Sequence, residues 1–170
     1  MVILGVDPGT AHTGFGVVLA RGQRIAALDG GVIATGAGSP LEQRLAGIHA
    51  RVRDLIATHR PRALAVEDLF FGQNVRTAFA VGQARSAVVL AAELAGVPCS
   101  AYTPQAVKQA VCGSGGAAKD QVQRMVAALL SLPETPRPDH AADALAVAIC
   151  HANGSELREE IEGFPQCVAR

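Results

Sequence analysis

The first seven residues constrain the fold most. Val2-Ile3-Leu4-Gly5-Val6 is apolar throughout and stops on Asp7. A run without polar alternation suits a strand covered on both faces, at the centre of a sheet. Asp7-Pro8-Gly9-Thr10 then reads as a turn and Gly14 to Leu19 as a returning strand. After the Arg21-Gly22-Gln23 turn a third strand is expected over about 24–34, and the close spacing of the three implies an antiparallel meander.

The hydrophobic period changes after Ser39. Ser39-Pro40-Leu41-Glu42 has the pattern of a capping box, with Ser39 as N-cap and Pro40 at the first helical position. Leu41, Leu45, Ile48, Val52 and Leu55 continue at helical spacing, so an amphipathic helix should end near Pro61. Ala63 to Val66 is a buried strand delivering Glu67 at its end, followed by an Ala-rich helix over about 75–95. A fifth strand is expected over 97–102, and Thr103-Pro104 caps the next helix. Beyond the Gly113-Ser114-Gly115-Gly116 break, helices are predicted over roughly 118–131 and 140–152. Strands four and five, each reached through a helix, should run parallel to the first. The expectation is a five-stranded mixed α/β sheet flanked by helices. Residues 1–154 would form one domain and 155–170 a polar, flexible tail.

Composition narrows the class. With 49% hydrophobic and 18% charged residues the chain is not disordered, and a domain of 170 residues buries roughly 70% of the surface of its unfolded chain. The longest stretch free of charge, 94–107, contains Pro98 and Pro104 and is too short to span a bilayer. The N-terminal apolar run lacks a basic flank and a cleavage signature, so a cytoplasmic protein without membrane contact is expected. The cysteines at 99, 112, 150 and 167 have no metal-finger spacing and read as reduced small hydrophobes. The net charge is zero, yet Glu156, Glu159, Glu160 and Glu162 concentrate acid near the C-terminus, which leaves the remaining surface mildly basic once the candidate ligands are set aside.

Ligands of open α/β sheets bind at the carboxyl ends of strands. That rule selects Asp7 and Glu67, each directly after an apolar strand. Asp143 and His140 stand three apart near the start of the last helix, on one face. Each has an ordinary alternative: Asp before Pro-Gly forms turns, Glu can mark where solvent begins, and Asp143 in a first helical turn favours the dipole. Asp139, after Pro138, suits an N-cap. As a set, the four offer hard oxygen ligands plus an imidazole for two divalent cations, Mg²⁺ or Mn²⁺, of the kind that catalyse phosphoryl displacement.

The motifs resemble the RuvC family of bacterial Holliday-junction resolvases, which have the ribonuclease H-like fold. The likeness lies in Ile3-Leu4-Gly5-Val6-Asp7-Pro8-Gly9-Thr10 with Thr13-Gly14-Phe15-Gly16, then Ala65-Val66-Glu67-Asp68-Leu69-Phe70 and Gly82-Gln83-Ala84-Arg85. It continues through Val107-Lys108-Gln109 and Ala141-Ala142-Asp143-Ala144-Leu145-Ala146, covering residues 1 to about 152. The resemblance implies catalytic and metal-ligating roles for Asp7, Glu67, His140 and Asp143. His140 stands where many members carry Asp, and Asp139 could substitute for it; a softer ligand at this place would favour Mn²⁺ over Mg²⁺.

The implied reaction is symmetric nicking of two opposed strands by two-metal hydrolysis, leaving 5′-phosphate and 3′-hydroxyl ends. It implies a homodimer, with the helix around 78–95 either as the interface or packed on its own sheet. Phe70, with Phe71 beside it, would stack on an unpaired base, and Lys108 and Lys119 would neutralise phosphates, with Arg76 and Arg85 as further DNA-binding candidates. The Gly113 to Gly116 stretch either lets backbone approach DNA or is a helix–helix turn. The RuvA–RuvB branch-migration complex is the implied partner. Competing readings are an actin-like phosphate-binding domain, for which a second phosphate loop is missing, and a junction-binding module without nuclease activity.

Overall fold

The computed structural model describes residues 1–36, 38–68 and 75–163, of which 75–77 and 155–163 are described as backbone only. Strands β1 (Val2–Asp7), β2 (His12–Arg21) and β3 (Arg24–Ala34) form the antiparallel meander. Helix α1 (Leu41–His59) leads to β4 (Ala63–Glu67), and α2 (Val75–Leu94) leads to β5 (Cys99–Tyr102). Helices α3 (Pro104–Cys112), α4 (Lys119–Leu129) and α5 (Asp139–Gly163) complete the chain. The sheet order is β3-β2-β1-β4-β5, with β4 parallel to β1 and β5 parallel to β4. This is the mixed five-stranded α/β sheet expected from the sequence, with β1 at its centre.

Alternation along β1 and β4 divides the core in two. Leu4, Val6, Leu64 and Val66 face the layer of α1 and α2, where they meet Ile48, Val52, Ala84 and Val88. Ile3 and Ala65 face the other layer, against Val107, Val122, Val126, Leu145 and Ile149. Asp7 and Glu67 have the same parity as Ile3 and Ala65, so both carboxylates emerge toward α5. Their strands are in register, Val6 opposite Val66.

Helix α5 can lie close to the sheet because glycines floor its path. A Cβ on Gly5 would stand 2.1 Å from the Ala144 carbonyl oxygen, and one on Gly14 would stand 1.9 Å from that of His140. A Cβ on Gly16 would come within 2.7 Å of the Leu145 side chain. Ala141, Ala144 and Ala148 on the helix are buried in the same contact. Two smooth surfaces thus bring backbone almost onto backbone.

Several local expectations are corrected. The capping box at Ser39 does not form: Pro40, with φ −53° and ψ 146°, is the cap of α1, and no side chain accepts a capping bond there. Its carbonyl instead receives the first helical bonds, from Gln43 and Arg44 N–H. Strand β5 starts at Cys99, after Pro98, which has no N–H to give. Helix α5 begins at Asp139 and runs to Gly163. Residues 156–162 are mostly good helix formers and the next proline is Pro165, so backbone helix enters the segment expected to be a tail. Asp143 consequently falls in the second helical turn, too deep for the dipole role. The Gly113 to Gly116 break is a helix–helix turn: Gly113 takes φ 71° as the α3 C-cap, and the Gln109 side chain bonds both Gly113 C=O and Gly115 N–H. Cys99, Cys112 and Cys150 are free thiols. No helix among the described residues is long and apolar enough to cross a membrane.

Candidate active site

The turn after β1 is built before the acids can meet. Thr13, fully buried, donates from Oγ1 to the Gly9 carbonyl at 2.7 Å and so closes the Asp7-Pro8-Gly9-Thr10 turn from the side of β2. The Thr10 carbonyl accepts from Arg44 Nε at 3.1 Å and from the Thr35 hydroxyl, tying the turn to α1 and the end of β3. Asp7 is thereby held at the end of a strand whose next residues cannot drift.

Asp7, Glu67, His140 and Asp143 line one cavity of about 250 Å³ together with Lys108, Lys119, Pro104 and Val107. His140 Nδ1 lies 2.9 Å from Asp7 Oδ2, and the ring nitrogen donates to the carboxylate. In a neutral ring the lone pair then sits on Nε2. Ligand atoms of Asp7, His140 and Asp143 all lie within 4.8 Å of one another.

The charges in this cavity are poorly accommodated. Burial, then the neighbouring Asp7 and Asp143 carboxylates, push Glu67 up to about 8, with Lys119 partly opposing. Asp143 is also raised, by burial first, although the Lys119 ammonium pulls it down. A buried group of carboxylates that holds on to protons has room for positive charge. The donor set of carboxylates and one imidazole therefore fits a divalent cation of the Mg²⁺ or Mn²⁺ type.

The other expected residues fare unequally. Lys119 forms ion pairs with Asp143 at 3.2 Å and Asp139 at 3.3 Å. Asp139 is the first residue of α5, and its carboxylate engages Lys119 rather than serving as an N-cap; hydrogen bonds from Lys119 and Gln123 lower its proton affinity. It does not belong to the cluster formed by Asp7, His140 and Asp143. Arg85 lies 3.5 Å from Asp68, one residue beyond Glu67, and so stands near the site by way of α2. Phe70 and Phe71 lie outside the described residues, and Arg76 is described as backbone within α2 only.

His12 was not singled out from the sequence. Its ring stacks on that of His140, centroids 5.9 Å apart and planes 12° from parallel. It opens β2 opposite Ala34 of β3, two residues before Gly14, the partner of Asp7. Its signal in the sequence is only its distance from Asp7, since a lone histidine before a strand has no motif.

A family model described as "Crossover junction endodeoxyribonuclease RuvC" matches residues 3–151. A crossover junction endodeoxyribonuclease RuvC from Moorella thermoacetica is 55% identical over 159 residues, covering 94% of this chain and 95% of that protein. The Thermus thermophilus RuvC structure superposes with a TM-score of 0.87 at 45% identity, covering 93% of this chain and 97% of that one. The T. thermophilus RuvC in complex with Holliday junction substrate gives a TM-score of 0.89 at 46% identity, over 93% and 96% of the two chains.

Proposed function

The chain belongs to the RuvC family of crossover junction endodeoxyribonucleases, and from that premise we propose that it resolves four-way DNA junctions by metal-dependent hydrolysis of two opposed strands. What carries this reading is the shared cavity of Asp7, Glu67, His140 and Asp143, four potential ligands from two strand ends and one helix. These residues would hold two divalent cations, which supply Lewis-acid polarisation of a phosphodiester and activation of water.

The protein's own part is positioning and charge. Asp7, with His140 hydrogen-bonded to it, stands at the middle of the donor set. Glu67 and Asp143 supply carboxylates whose raised proton affinities give positive charge a reason to enter. Lys108 and Lys119 on the same rim would face the phosphates that flank the scissile one. Water adds to phosphorus and the 3′-oxygen leaves with a proton, giving 5′-phosphate and 3′-hydroxyl ends. Phe70, with Phe71, would stack on an unpaired base near the crossover, and Arg76 and Arg85 are further candidates for DNA contact. An imidazole in the donor set favours Mn²⁺ over Mg²⁺.

Two opposed cuts need two copies of the site, so the working unit is a homodimer. It acts in the cytoplasm, in homologous recombination and DNA repair, beside the RuvA–RuvB branch-migration complex. The deciding experiment compares a synthetic mobile four-way junction with linear duplex of the same sequence, in Mg²⁺ or Mn²⁺. Wild type should give paired, ligatable nicks in the junction alone, and Asp7→Asn should bind it without cutting. Equal cutting of duplex, or junction binding with no metal-dependent nicks, would refute the proposal.

A further inference from the structure

Lys119 is held by two carboxylates that face different things. Asp143 lines the cavity beside Asp7 and Glu67 and belongs to the cluster of potential ligands. Asp139 is exposed and stands outside that cluster. The lysine, opening α4, reaches both of these acids in the first turns of α5 at once, at 3.2 and 3.3 Å. Its ammonium thus sits against a carboxylate of the candidate ligand cluster.

We propose that Lys119 is a tethered counter-cation of the metal-free site, which yields Asp143 to an incoming divalent ion while Asp139 keeps the ammonium at the rim for a substrate phosphate. Asp139 is then a positioning residue acting through Lys119. In the exchange the Asp143 carboxylate trades one cation for another, the displaced ammonium stays paired with Asp139, and the local charge rises by the two units the ion brings. The metal half of this inference rests on geometry alone, and only the phosphate half rests on the nuclease reading.

The first measurement is Mn²⁺ binding without DNA, by calorimetry at low salt, for wild type, Lys119→Met, Asp139→Asn and the double variant. Both side chains are more than half exposed, so the fold tolerates the changes. Relief of competition should tighten Mn²⁺ binding by Lys119→Met about two- to fivefold, the range open to a partly exposed pair. Asp139→Asn should weaken it about two- to threefold with Lys119 present and have no effect in the Lys119→Met background, the coupling a double-mutant cycle isolates. Unchanged or weaker binding by Lys119→Met overturns the displacement. Equal effects of Asp139→Asn in both backgrounds overturn the tether.

The second measurement is four-way junction affinity in Ca²⁺. Removing the Asp139 charge should strengthen DNA binding if only the general field matters. The tether requires the opposite, a loss of about threefold or more, and equal or tighter binding overturns it. Should wild type bind no junction, the nuclease reading fails while the calorimetry still decides the displacement.

Discussion

At Glu67 the fold holds a carboxyl pushed from 4.5 up to about 8, by burial and then by Asp7. The sign of the linkage follows. Below the unfolded value both states carry the proton and nothing is lost. Between 4.5 and about 8 the unfolded chain ionises freely while the native one resists, so this contribution to stability falls as pH rises. Metal-free protein should therefore melt at lower temperature at pH 8 than at pH 6, and a divalent cation should narrow the gap. Asp7→Asn removes the neighbour charge and should raise the melting temperature of metal-free protein at pH 8 by about 2–4 °C, roughly 1 kcal/mol for a chain of this size. The same substitution should lower junction cutting by more than the 10–100-fold typical of an outer partner of a metal ligand. A variant that lost stability and kept cutting would remove Asp7 from the centre of the site. At this scale Asp7 and Glu67 were legible because each ends an apolar strand, and His140 and Asp143 because they stand three apart near the start of a helix. His12 was not, because its stacking on His140 depends on strand register, which no motif announces.

Elements place these residues through close packing of α5 on β1 and β2. Gly14→Ala would drive a methyl into the His140 carbonyl, 1.9 Å away on an unmoved backbone. The helix must then lift, at a cost of about 1–3 kcal/mol, with His140 drawn off Asp7 and metal binding weakened. Gly47→Ala is the counterpart. Gly47 lies within α1 with nothing near its would-be Cβ, so alanine should stabilise by about 0.5–1 kcal/mol and leave metal binding unchanged. Chemical denaturation with calorimetric Mn²⁺ titration checks both. The order and type of the elements followed from period and spacing, including the parallel return of β4. Their ends did not. The Ser39 box failed because Pro40 took the cap itself, and α5 outran its apolar stripe because good helix formers continue past it. The sequence likewise names Gly5, Gly14 and Gly16 without saying that a helix rests on them.

For the whole molecule the open question is what meets α2. Ala84, Val88, Ala91 and Ala92 are buried against its own sheet and α1, while Phe79, Leu90 and Leu94 stand 68%, 52% and 72% exposed. Both alternatives raised by the sequence are thus available to one helix, on different faces. The proposed homodimer predicts that the double substitution Leu90→Glu with Leu94→Glu shifts sedimentation from dimer to monomer and uncouples the two nicks, with the melting temperature little changed. A wild type that sediments as a monomer at working concentration would end the dimer proposal. One further consequence belongs to the parity of the central strands. Asp7 and Glu67 reach the same layer only because each is an even count of residues from Ile3 or Ala65. Individual side chains along β1 and β4 can therefore be exchanged for others of like size, whereas inserting or deleting a single residue within either strand would turn its acid to the opposite layer. The site is written in the number of residues as much as in their kinds, and it should tolerate spelling changes far better than changes of length.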